Sequence, residues 1–416
     1  MLGRKSWLSL LAAAGLAGMA TSTGVVAQIW QDPAPGTRIE VKAADLPPPY
    51  ASASARNRAE PAEGRGGRVP RVPDGFTVNI FADRLSHARW LAVAPNGDVF
   101  LAEPRSGHIR VLRDADGDGR AEISQVFVDG FQRPHGMAIR DGVFYFADAN
   151  GVWRVPYKPG DLKASVKPQQ VTAKGAFGAT GGHWTRNIAF APDGSKFYVS
   201  IGSATNIGED PSPRATIQEF SADGKNQRNF ATGLRNPVGI AFYPGTNDLY
   251  TVVNERDGLG DELVPDYLTR VRDGGFYGWP YSYIGNHPQP GFADKRPDLV
   301  KQAIVPDVLF RSHTAALGLT FYTADQFPAD YKGDAFVSLH GSWNAAQPRG
   351  YQVVRVPFKD GKPVGHYEVF MSGFWVGGAM PAQVIGRPVG LAVAQDGSLL
   401  VADDSANVIW RVSRQR

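Results

Sequence analysis

The sequence contains no cysteine in its 416 residues. That excludes disulfides, cysteine-ligated zinc, a lipidated N-terminal cysteine and haem attached through cysteine. A redox protein of this composition must hand its electrons to a separate acceptor. Long Lys/Arg runs are also missing, and the formal net charge is only +4. Nucleic acid is therefore not the expected partner, whereas an anionic small ligand remains open. Long apolar runs are confined to the N-terminus, where Arg4 and Lys5 precede the apolar stretch from Trp7 to Ala20. That stretch is short for a span of about 20 residues. Val25-Val26-Ala27 before Gln28 has the form of a cleavage site, so residues 1–27 are expected to be a signal peptide rather than a membrane anchor. The mature chain is expected to be periplasmic or secreted, with no membrane span.

Glycine and proline, by contrast, are abundant, at 48 and 31 residues. They suit short strands and frequent turns. Residues 28–72 are rich in Pro, Ala, Arg and Gly without a sustained period, and read as an extended arm or linker. From Phe76 the pattern becomes short β-like runs that repeat. One unit reads WLAVA (90–94), DVFLAE (98–103), HIRVLRD (108–114) and EISQVFVDG (122–130). Later units open at Gly136, Asn187, Gly239, Gly318 and Gly390. Six units of up to four strands, at spacings of roughly 50 residues, predict an all-β, six-bladed β-propeller over residues 73–416. A large open β-sandwich is the competing fold. The sixth unit shows three strands, and FTVNIFA (76–82) is expected to supply the fourth and close the ring. The longest insertion is expected from Gly275 to about Arg311.

In such a fold the residues before each first strand and after each second strand open on one face. Before the first strands stand Arg89, His135, His183, Arg235-Asn236, His313 and Arg387. After the second strands stand Asp148, Ser203, residues 254–261, His340 to Trp343, and Asp403-Asp404. Arginines converging on one mouth imply a bound anion, a polycarboxylate or a phosphate, because buried charge must be paired. Histidine there offers a general base. The alternative for any one of these residues is a tie between blades. The Gly-rich acidic loop at 254–262 suits calcium, which takes six to eight oxygens. Asp114-Ala115-Asp116-Gly117-Asp118-Gly119 has calcium-loop form but carries Gln125 at the twelfth position. It is a structural ion site or an ordinary hairpin turn, on the opposite face.

The segments GGHWTRNIAFAPDG (181–194), GLRNPVGIAFYP (233–244), NERDGLGDE (254–262), GGFYGWP (274–280), LHGSWN (339–344) and GRPVGLAV (386–393) together resemble the quinoprotein sugar dehydrogenases, in their sorbosone and pyranose dehydrogenase branch. The resemblance covers about Pro73 to Arg416. It implies a six-bladed propeller holding pyrroloquinoline quinone (PQQ), a planar ortho-quinone with three carboxylates, together with Ca2+. It implies His183 as the catalytic base, Arg235, Asn236 and Arg387 as cofactor-binding residues, and backbone carbonyls near Asp257 and Gly258 as the metal site. The second arginine of the soluble glucose dehydrogenases is here Val389, and the acid beside their catalytic histidine is Gly182. Their cofactor lysine falls in the segment that carries His340 and Trp343. His340, Trp343 and Arg89 therefore complete the expected cofactor set. The resemblance implies oxidation of a sugar or a sugar-derived aldehyde or alcohol, with electrons passing to a cytochrome or quinone acceptor. The alternatives are a calcium-dependent lactonase or esterase propeller and a non-catalytic binding propeller.

Overall fold

Recurrent glycines at the start of the repeats have a structural cause. A Cβ on Gly390 would lie 2.6 Å from the Arg89 carbonyl oxygen, and one on Gly239 would lie 2.8 Å from that of Leu317. Gly136 stands equally close to the Asn187 backbone, and a Cβ on Gly318 would lie 2.1 Å from the Val389 oxygen. These glycines lie where the first strand of one sheet crosses the first strand of another. No side chain fits between the two backbones.

The structure, a computed structural model, describes residues 32–63 and 67–415. The expected signal peptide lies outside the described residues. Six sheets of four or five strands, almost wholly antiparallel, make up most of the described chain, beside three smaller ones. The first runs Trp90–Val93, Val99–Glu103, His108–Arg113 and Ile123–Val128, in that order from its inner edge. The next four begin at Met137–Arg140, Arg186–Phe190, Pro237–Phe242 and Ala316–Phe321. The sixth begins at Pro388–Val393, continues through Leu399–Asp403 and Val408–Arg414, and ends on Phe76–Ala82. The expected fourth strand is thus in place: Phe76 pairs with Arg414 and Val78 with Val412. First strands touch in chain order, and Pro388–Val393 touches Trp90–Val93.

Apolar side chains fill the space between sheets. Trp410 and Phe100 are fully buried. The Phe76 ring meets Phe327 at 4.8 Å and Phe370 at 5.3 Å between centroids, so the closing strand is fixed by aromatic contacts as well as by its ladder. The region expected as one insertion is more ordered than a loop. Gly275–Phe276 adds a parallel strand to the third sheet, Ser282–Tyr283 and His287–Pro288 form a hairpin, and Val308–Ser312 completes the fourth sheet. The segment expected as an arm is docked. Arg38–Ile39 pairs with the outer strand of the fifth sheet, and Glu60–Pro61 runs parallel to Gln383–Val384. Among the described residues no helix is long and apolar enough to cross a membrane.

Gly390→Ala forces backbone against backbone and is expected to lower the unfolding free energy by about 1–3 kcal/mol in urea titrations. Gly181→Ala, where a Cβ meets nothing within 4 Å, serves as the control.

Candidate functional site

Each expected site residue sits where a first strand begins or a second strand ends, and backbone hydrogen bonds tie the two positions together. The Arg89 amide donates to Ala102, that of His135 to Ala147, that of His183 to Ser203, and that of Asn254 to Asn236. This ladder end places their side chains at one end of the sheets.

Arg89, His340 and Arg387 meet in a pocket of about 660 Å³, together with His87, Arg105, Arg133, Trp184 and Asp404. Four arginines and one carboxylate, Asp404, line it. Asp404 is tied to Arg89. It accepts hydrogen bonds from Arg89 Nη1 and from His340 Nε2 (2.8 Å), and lies 3.4 Å from His87 Nε2. Burial opposes its ionisation, but the His340 imidazole and the Arg89 guanidinium hold it well below the usual carboxylate range. Burial and the Arg387 charge lower His340 to about 4. Arg387 donates from Nε to the His340 carbonyl (2.9 Å) and from Nη2 to that of Gly341 (3.0 Å). Arg89 Nε and His87 Nδ1 are buried without a partner among the described residues. Trp184 floors the pocket, with the Arg89 and Arg133 guanidinium carbons 5.4 and 5.6 Å from its ring centroid.

His183, next to Trp184, forms a second cluster with Arg235 and Asn236. Its Nδ1 faces the Ser203 carbonyl (3.0 Å) and Oγ (2.9 Å). Donation to these oxygens selects the tautomer that leaves Nε2 as acceptor, and Nε2 carries no hydrogen bond among the described residues. Arg186 and Arg214 both donate to the His183 carbonyl. Gly202 is required beneath it, since a Cβ there would lie 2.7 Å from His183 Cβ and 2.3 Å from Asn236 Oδ1. Burial, then the Arg235 charge, lower His183 to about 3, so the ring is neutral near physiological pH. Arg235 is buried and turned toward protein oxygens: Asn206 O and Oδ1, Asn254 O and Oδ1, and Glu255 O. Asn236 Oδ1 is buried and unpartnered.

Trp343 is not in the cationic pocket. It is 41% exposed and lines a separate groove of about 560 Å³ with Arg56, Arg58 and Met380. The amide of Asn57 donates to its carbonyl, which turns the side chain outward beside the N-terminal segment. His135 is also no ligand-facing group. It is fully buried, 4.6 Å from Trp90 and 5.7 Å from Trp184 between ring centroids.

Of the residues expected at the metal, Asp257 has its carbonyl engaged within the protein. The Asp257 carbonyl accepts from Arg256 Nε (2.9 Å), Arg256 Nη2 (2.7 Å) and Asn206 Nδ2 (2.9 Å). Its carboxylate meets His313 Nδ1 at 3.2 Å and Arg235 at 3.9 Å. The Gly258 amide donates to Asn344 Oδ1. His313 turns one ring nitrogen to Asp257 and the other to the Gly260 carbonyl, the pattern of an imidazolium. Three cationic side chains, Arg256, Arg235 and His313, thus lie about Asp257. Carboxylates that do converge lie at the other end of the first sheet, where Asp114, Asp116, Asp118 and Glu122 come within 4.8 Å of one another. Glu122 stands in for the missing twelfth-position acid.

His87, Arg105, Arg133 and Trp184 escaped the sequence reading as site residues. His87 and Arg133 each lie two positions before Arg89 and His135, both in the left-handed region at φ 57° and 56°. Extending the phase argument by two residues finds them.

The family model described as TrAA12-like matches residues 70–266 and 293–415. The chain belongs to the TrAA12-like family. Residues 267–292, which fall outside the match, include the hairpin of the insertion. A pyrroloquinoline quinone-dependent pyranose dehydrogenase of Coprinopsis cinerea is 25% identical, over 82% of this chain and 54% of that protein. This TrAA12-like chain thus spans about half the length of that relative. An aldose sugar dehydrogenase of Escherichia coli (strain K12) is 28% identical, over 62% of this chain and 76% of its own. The holo form of the PQQ domain of Coprinopsis cinerea pyranose dehydrogenase superposes with a TM-score of 0.70 at 21% identity, covering 86% of this chain and 100% of that one. The fold is a β-propeller.

Burial lowers His183 and, still further, His135 from the ordinary 6.5. Below that value the unfolded chain takes up protons that the fold refuses, so stability is full above it and is lost as the pH falls. The midpoint of thermal unfolding is expected to hold above about pH 7 and to drop by several degrees toward about pH 5, and His135→Phe to flatten that drop, as followed by circular dichroism.

Proposed function

We propose that the protein is a sugar oxidoreductase that binds PQQ in the cationic pocket and oxidises a sugar or a sugar-derived aldehyde or alcohol. The carrying observation is the charge of the pocket. Four arginines around one carboxylate leave an excess of three positive charges, which matches the three carboxylates of the quinone. The guanidinium groups suit an anionic guest, and the pocket of about 660 Å³ lies within the range of about 300–1,000 Å³ usual for small-molecule sites. The named activities of the Coprinopsis and Escherichia relatives support the same reading. A metal-dependent hydrolase would need carboxylates where this pocket has guanidinium groups.

When bound, the quinone supplies an acceptor for a hydride, the two electrons then leaving to an external cytochrome or quinone. The chain's own residues do the rest. Arg89 and Arg387 hold the anion, His340 steadies Asp404 beside them, and Trp184 gives it an apolar floor. His183, held by Ser203, presents Nε2 to take the hydroxyl proton as the carbon gives up hydride. Asn236 offers an unpaired oxygen to a donor nearby.

In this reading the six sheets are the six blades of a closed ring, completed by Phe76–Ala82. Residues 1–27 direct export to the periplasm or the exterior, 28–72 are the docked arm, and 73–416 the catalytic domain. Absorbance titration of the apoprotein with PQQ, then dye reduction across sugars and aldehydes, tests the proposal. Absence of quinone binding ends it. His183→Gln is expected to lower kcat by about 10²–10⁴-fold while leaving quinone affinity unchanged. Arg387→Ala is expected to weaken quinone binding by about tenfold or more.

A further inference from the structure

We propose that the N-terminal segment at residues 58–61 is the substrate-facing wall of the cationic pocket, and that it sets the size of substrate admitted: a single pyranose ring or a small aldehyde, not a longer saccharide. The proposal rests on the quinone reading above. From Arg58 to Pro61 the side chains alternate, as those of an extended chain do. Ala59 and Pro61 line the cationic pocket, whereas Arg58 and Glu60 line the groove beside Trp343. One stretch of chain thus parts the two cavities, with its small side chains toward the pocket and its long ones away. Ala59 is half-buried against the apolar cluster that includes Phe374, and Pro61 is exposed. Neither side chain carries a hydrogen-bonding group, and Pro61 has no N–H to offer. They shape the pocket without adding to its charge, which comes from the four arginines. A space of about 660 Å³ must hold the planar quinone and still admit a substrate, so the room that remains depends on this wall.

A wall selects by size only if it is held in place, and buried groups hold this one. Asn57 is 2% exposed. Its Nδ2 donates to the carbonyls of Ala346 (3.1 Å) and Ala379 (2.7 Å), and its Oδ1 accepts from the Ala382 amide (3.3 Å). Its own amide donates to the Trp343 carbonyl at 2.7 Å. The Glu60 amide donates to the Ala382 carbonyl, and that of Ala62 to the Val384 carbonyl, both at 2.8 Å. Asn344 Nδ2 donates to the Ala55 carbonyl, while its Oδ1 accepts from the Gly258 amide. The loops at 343–346 and 379–384 thus grip the wall from both ends. Arg38–Ile39, by contrast, docks on an outer strand and lines neither cavity. That piece of the arm is a tie, and residues 58–61 are a surface of the site.

The test uses the full chain reconstituted with PQQ. Dye reduction is followed on glycolaldehyde, on maltotriose, and on whichever of glucose, galactose, mannose and xylose the parent oxidises fastest. Ala59→Leu, which thickens the wall, is expected to lower kcat/KM for that pyranose by about tenfold or more relative to glycolaldehyde, through KM, with quinone affinity by absorbance unchanged. Asn57→Ala, which frees the wall, is expected to raise kcat/KM for maltotriose relative to the pyranose by a similar factor. A purely structural role lowers the midpoint of thermal unfolding in both variants and moves neither ratio. If Asn57→Ala does not fold, as judged by circular dichroism, Ala59→Leu decides together with Ala59→Gly, which thins the wall and is expected to favour maltotriose. Unmoved ratios in the folded variants overturn this proposal alone, as does a loss of quinone affinity in Ala59→Leu. A parent that binds quinone but oxidises no pyranose, or takes maltotriose as readily, also overturns it alone. No quinone binding by the parent overturns both this proposal and the oxidoreductase reading.

Discussion

Crowding where the first strands meet is the constraint on which the rest depends. Sheets can approach this closely only where a residue has no side chain, and Gly136, Gly239, Gly318 and Gly390 occupy those positions. Close approach fixes the phase of every sheet, and phase fixes which residues stand at the mouth. The His183 amide donates to the Ser203 carbonyl and that of Arg387 to Asp403 Oδ1, because each lies just ahead of a first strand, Arg186–Phe190 or Pro388–Val393. The site is therefore a consequence of register rather than of local loop design.

Positive charge assembled this way must be stabilised, and the protein does so in two manners. Arg235 is satisfied entirely by backbone and amide oxygens, so it organises loops. Arg89 and Arg387 line a cavity in which Asp404 is the one acid among the lining residues. A buried guanidinium without full pairing is costly in isolation. Its persistence around an open pocket is what a site for an anion requires. His183 gains from the same surroundings, since nearby cations and burial keep its ring unprotonated and ready to accept a proton.

Much of this was legible in the sequence. The repeat starts marked the first strands, FTVNIFA forms the outer strand of the sixth sheet to the residue, and Arg89, His340 and Arg387 line one pocket. What the linear pattern could not carry was side-chain direction. Trp343 lies in the expected segment, yet its backbone is held by Asn57, nearly 290 positions away along the chain, and its ring faces outward. Arg256 was read as part of an acidic loop, but it folds back on its neighbour's carbonyl, a choice that depends on what surrounds it in space. Residues 38–61 looked structureless because strands of two residues have no periodicity to detect, although they form ladder bonds.

Pairing of Phe76–Ala82 with Val408–Arg414 joins the beginning of the sheet-forming chain to its end. The sixth sheet cannot form until both Phe76–Ala82 and Val408–Arg414 are available, although domains ordinarily begin folding from their N-terminus. Arg387 and Asp404, on that sheet, are thus among the last site groups to be delivered. A guest that needs them cannot template early folding. The long sequence separation between the two strands makes their pairing a slow step in folding.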